Sequence, residues 1–134
     1  MTIADQTRPL TTTQPANAAK PATTFTVYWL FQADPNRRVA TDTEREHAAL
    51  SMLDAIARHG DSVQVRGAYS TTGLSAGVDL ILWLVADDCD AFQSLASEIH
   101  HSSAGRALTL RHVYLGVGSM SQYDPTHSPA FLRG

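Results

Sequence analysis

Four runs rich in β-branched and aromatic residues, interrupted by two helical patterns, follow one another in the order β-α-β-β-α-β, and this order restricts the chain more than any single residue does. The first run, residues 24–33 (TFTVYWLFQA), ends at the breaker cluster Asp34, Pro35, Asn36. Residues 42–58 place Ala48, Leu50 or Met52, Leu53, Ile56 and Ala57 at helical spacing, with acids in the first turn and Gly60 just past the end. In 62–70 (SVQVRGAYS), Val63, Val65 and Ala68 or Tyr69 alternate with polar neighbours. A Ser-Thr-Thr-Gly turn then leads into the more continuously apolar run 78–87 (VDLILWLVAD), so these two runs predict a hairpin. Asp88 or Asp90 can cap a second helix over 90–105, with Phe92, Leu95, Ala96 and Ile99 on one stripe and Gly105 as the stop. A fourth strand follows over 107–119 (ALTLRHVYLGVGS).

This order is the split βαβ, or ferredoxin-like, arrangement: an α+β domain whose antiparallel sheet carries both helices on one face. The other sheet face is left bare and apolar, and is best buried against a second sheet. The chain is too short to hold two such units, so that sheet is expected from another molecule. The expected organisation is an arm over 1–23, one domain over 24–119 and a tail over 120–134. The arm is rich in Thr, Pro, Ala and Gln, which suits a disordered or partner-wrapping segment. It has neither an apolar stretch nor a cleavage signature, so cytoplasmic localisation is the default expectation. With 134 residues and 43% hydrophobic content, one core can fold unaided. A net charge of -3 and a pI near 6.0 provide no cationic field for nucleic acid or an anionic membrane. The single cysteine, Cys89, cannot form an internal disulfide and reads as a small helix hydrophobe.

Histidine is the residue type that invites a metal or haem reading, since imidazole is a common ligand. His100 and His101 are adjacent at a helix end and suit its negative dipole, while His47 lies among charges on a helix. His59 closes the first helix just before Gly60. His112 alternates with Leu110 and Tyr114 along the last strand and is expected to share their face. His127 and Phe131 lie in the tail, where Pro129 favours an extended path and Phe131 can anchor it on a neighbouring surface. Arg66 and Asp79, on paired strands, could form an ion pair or touch a substrate. Trp29 or Trp83, with Tyr114, could line the open face. The sequence shows no Ser-His-Asp arrangement, phosphate cradle or spaced Cys/His metal set.

Val65-Arg66-Gly67-Ala68-Tyr69, then Gly73-Leu74, Ala76, Asp79 and Trp83, resemble the chlorite dismutase and coproheme decarboxylase family, in which an R-G-x-Y strand leads through a glycine turn to a D-x-x-x-W strand. Gln93, Gly105-Arg106 and the closing segment from Tyr123 to Gly134, with its H-x-P-A-F-x-x-G pattern, are similar to the N-terminal half of that family. Ser75 and Gly77 depart from it, standing where arginine and aspartate are usual. The resemblance implies a fold of the dimeric α/β-barrel superfamily, in which the haem is held by a C-terminal repeat that has no counterpart here. Haem is therefore expected in a complex, ligated by a partner chain and not by this chain alone, with His112 and His59 as the weak candidates on this chain. The expected function is that of a non-haem-ligating subunit of a split haem-dependent oxidoreductase, paired with a homologous haem-binding chain and acting on a small-molecule substrate. Arg66, Asp79, Trp83, Tyr114, His127 and Phe131 are its expected interface or substrate-lining residues. The alternatives are a homodimeric α+β barrel binding a small molecule or haem at its own sheet face, and a non-catalytic scaffold.

Overall fold

A computed structural model describes residues 23–37 and 41–118. The arm expected over 1–23 and the tail expected over 120–134, including His127 and Phe131, lie essentially outside the described residues. Strand β1 spans Thr24–Ala33 and is followed by one turn of 3-10 helix, Pro35–Arg37. Helix α1 (Asp42–Arg58) precedes the hairpin of β2 (Gln64–Ser70) and β3 (Leu80–Ala86). Helix α2 (Cys89–His101), the short α3 (Ser103–Ala107) and β4 (Leu108–Gly118) complete the chain. The strands form one antiparallel sheet in the order β2-β3-β1-β4, the ferredoxin-like topology expected from the pattern.

Local chemistry sets the helix ends. Thr41 and Glu44 form a reciprocal capping box: the Thr41 Oγ1 accepts from the Glu44 amide at 3.3 Å, and Glu44 Oε2 accepts from the Thr41 amide at 2.8 Å. Asp88 caps α2 by accepting from the Asp90 amide at 2.9 Å. Gly105 does not stop this helix as expected. Helix α2 ends at His101, where Ser102 turns extended and caps α3 instead, and Gly105 sits inside α3. A Cβ on Gly105 would lie 2.2 Å from the His100 carbonyl oxygen, so what the position requires is close backbone approach.

The core lies between the helices and one face of the sheet. Val27, Trp29 and Phe31 of β1 and Leu82 and Leu84 of β3 meet Phe92, Leu95 and Ile99 of α2. Complete burial of a side chain such as Leu84 or Leu95 contributes about 1.5–3 kcal/mol. Helix α1 contributes less than its periodicity suggests: Met52 and Ala55 are buried, whereas Leu50 and Leu53 remain exposed. It is tied to the other helices by polar contacts, with the Ser51 hydroxyl accepting from the Ala104 amide at 3.0 Å. Between α1 and the sheet lies an apolar cleft of about 740 Å³, bordered by Ala48, Met52, Ile56, Val65, Ala68 and Leu82. Among the described residues no helix is long and apolar enough to cross a membrane.

Candidate functional site

Because β1 turns Val27, Trp29 and Phe31 toward the helices, Thr26, Tyr28 and Leu30 point to the opposite side of the sheet. Strand pairing then builds rows of side chains on that open face. One row runs across all four strands as Gly67, Trp83, Tyr28 and Tyr114. The next holds Tyr69, Ile81, Leu30 and His112.

Trp83 is the centre of the first row. Its ring stacks on Tyr28 with centroids 5.5 Å apart and planes 17° from parallel, and the Arg66 guanidinium sits 5.9 Å from the indole centroid. Trp83 Nε1 donates to Thr26 Oγ1 at 2.8 Å, and that hydroxyl donates onward to the Leu84 carbonyl at 3.2 Å. The indole is thereby fixed by three kinds of contact while one side of the row remains open. A half-buried ring held in this way needs little further ordering to be contacted. Tyr69 folds back over Gly67, whose missing side chain leaves room for the phenol: a Cβ there would lie 2.3 Å from the Tyr69 hydroxyl.

Strand bulges decide which side chains share this face. Between Val65 and Gly67 the β2 register slips at Arg66, and Val65 and Ala68 both face the helices despite their odd spacing. A second slip at Arg111 pairs Leu110 with Phe31 but His112 with Leu30. Leu110 and His112 are therefore on opposite faces, contrary to the uninterrupted alternation expected for the last strand, while His112 and Tyr114 do share the open one. Of the two tryptophans, Trp83 is on the open face. Trp29 is core, 3% exposed and edge-on to Phe92 at 6.4 Å between centroids. Tyr69, the tyrosine of the R-G-x-Y motif, belongs to the open face, as does Tyr28, which does not stand out in the sequence.

Asp79 and His59 are engaged elsewhere. Asp79, immediately before β3, accepts from the Ala33 amide through Oδ2 at 2.8 Å, while its own amide donates to the Phe31 carbonyl at 2.8 Å. This locks the end of β1 against the hairpin. His59 belongs to the helical layer, on the far side of the sheet from Trp83. Its Nε2 lies 2.7 Å from Glu98 Oε2, and Arg58 pairs with the other carboxylate oxygen. Hydrogen bonds from Arg58 first and His59 second hold the Glu98 carboxyl below its ordinary value of 4.5. That arrangement joins the C-terminal end of α1 to α2.

Among the described residues, no histidine, cysteine or tyrosine borders the large cleft beneath α1. His112 stands exposed on an edge strand, on the open face. No group of three or more His, Cys, Asp or Glu suited to a metal ion occurs among the described residues.

A four-stranded antiparallel sheet with two helices and a short third one on one side and an aromatic row on the other defines the domain as a ferredoxin-like module. The chain belongs to the chlorite dismutase family, whose family model matches residues 45–134. It is 34% identical over 73 residues to the coproheme decarboxylase of Mycolicibacterium smegmatis, a match covering 54% of this chain and 32% of that one. The chlorite dismutase of Candidatus Nitrospira defluvii in complex with imidazole superimposes with a TM-score of 0.69 at 20% identity, covering 78% of this chain and 43% of its own. A haem-binding protein from Thermus thermophilus gives a TM-score of 0.60 at 12% identity, over 72% of this chain and 40% of that one. The two structural likenesses concern the fold. The chain matches less than half the length of each of these proteins.

Proposed function

We propose that this chain is a non-haem-ligating subunit of a chlorite-dismutase-like haem-dependent oxidoreductase, packing its open sheet face against the sheet of a homologous chain that ligates the haem. The observation that carries this reading is the Gly67, Trp83, Tyr28, Tyr114 row, which crosses the whole sheet with aromatic side chains on three of its four strands, on the side the helices leave bare. Sheets packed face to face stand about 10 Å apart and interdigitate their inner side chains, which is what an indole held between Tyr28 and Arg66 can offer. Trp83 and Tyr28 would form the centre of the contact, Arg66 and Tyr69 one margin, and His112 and Tyr114 the other. In this reading the chain shapes a wall of the small-molecule site and excludes water from it, while the partner supplies the redox chemistry. A cytoplasmic setting belongs to the same proposal.

The test is co-purification of tagged chain with candidate haem-bearing homologues, comparing the native face with Tyr28→Glu and Trp83→Glu. Capture of the haem chain by the native face and its loss with either glutamate supports the proposal. Capture indifferent to both substitutions refutes it.

A further inference from the structure

Strand β4 lies at an edge of the sheet but has the composition of an interior strand. Past the bulge at Arg111, residues 112–118 (HVYLGVG) contain no lysine, arginine, acid or proline. Both faces are apolar: Val113, Leu115 and Val117 point to the helix side yet are 52%, 57% and 66% exposed, and Tyr114 on the open face is 60% exposed. Natural sheets protect edges with charge, proline, bulges or brevity, and a strand apolar on both faces is normally flanked by other strands. The opposite edge illustrates the contrast, since β2 is seven residues long and carries both a bulge and Arg66.

The geometry points to a second copy of this chain as the occupant, its β4 adding antiparallel to the first across a two-fold axis perpendicular to the sheet at Leu115. Such an axis keeps the helix side of both copies on one side, so the interface is isologous. The strand is self-complementary in this register. Leu115 meets its own copy, Val113 meets Val117, and on the open face each Tyr114 meets a Gly116 of the other chain, where the missing side chain leaves room for the ring. His112 falls opposite Gly118, so no like charges are brought together across residues 112–118. Edge pairing joins six apolar side chains, Val113, Leu115 and Val117 of each copy, on the helix side. It leaves the aromatic face free, so it stands whether or not that face binds a haem-bearing partner.

The test uses the full chain. Sedimentation equilibrium is expected to give twice the 14.5 kDa chain mass. Leu115→Lys places two ammonium groups face to face and is expected to raise the dimer dissociation constant at least about tenfold with unchanged far-UV circular dichroism. In a Cys89→Ser background, Leu115→Cys is expected to form an interchain disulfide under mild oxidation. Val113→Cys should do so only when mixed with Val117→Cys. A monomer at all concentrations overturns the proposal, including one whose β4 amides resist exchange because another segment of the same chain covers them. So does a dimer that crosslinks through Tyr28→Cys and not through Leu115→Cys, which would be pairing by faces.

Discussion

Replacing Trp83 by Phe keeps a ring over Tyr28 but removes the Nε1 donor that reaches Thr26 Oγ1 at 2.8 Å. The hydroxyl keeps its own bond to the Leu84 carbonyl, so no buried donor is orphaned and the loss is that of one net hydrogen bond, about 1 kcal/mol. The smaller ring adds about 0.5–1 kcal/mol through reduced area and a weaker attraction for Arg66. Thr26→Val removes the acceptor and also breaks the bond to Leu84. Combining the two substitutions in a double-mutant cycle cancels that side effect and isolates the indole-hydroxyl contact, with an expected coupling of about 1 kcal/mol. Urea unfolding followed by far-UV circular dichroism, at fixed chain concentration, measures all four proteins. Additive effects, with a coupling within about 0.3 kcal/mol of zero, would refute the view that this hydrogen bond fixes the indole.

Asp79→Ala strips the acceptor from the Ala33 amide and is expected to cost about 1–3 kcal/mol by thermal or urea unfolding, with Asp79→Asn recovering part of it through its amide oxygen. Gly105→Ala drives a Cβ into the His100 carbonyl and is expected to destabilise by more than about 2 kcal/mol. Gly67→Ala meets only the far end of an exposed tyrosine, so the fold should survive while Tyr69 swings away, visible as a shift of its ring resonances in NMR. Because Glu98 ionises below its unfolded value of 4.5, its contribution to stability is present above that pH and lost as pH falls through the lower folded value. The native chain should therefore lose stability more steeply below about pH 4.5 than Glu98→Gln does in acid unfolding curves.

Local patterns account for much of this architecture. The first strand, the first helix and the hairpin follow from β-branched runs, helical spacing and turn residues, because each is decided by neighbours a few positions away. Which side chains share a face was less legible. In TFTVYWLFQA both faces are apolar, so alternation cannot tell Tyr28 from Trp29; the distinction comes from α2, which covers Trp29 through Phe92. The bulges at Arg66 and Arg111 reassign Ala68 and Leu110 without any glycine or proline at the slipped residue to announce them. The partner of His59 is 39 residues away, and only the packing of α1 against α2 brings Glu98 to it. Gly105 resembles a helix stop in the sequence because close backbone approach and positive φ select the same residue.

Whether this chain completes a haem enzyme by packing its open face on a haem-bearing chain is tested most directly by co-expression with candidate partners, followed by size-exclusion chromatography with an absorbance spectrum across the Soret region. The expected result is haem absorbance in a hetero-complex containing this chain, with the association lost on Trp83→Glu. A colourless, stable homo-oligomer that ignores every haem-bearing partner would contradict it.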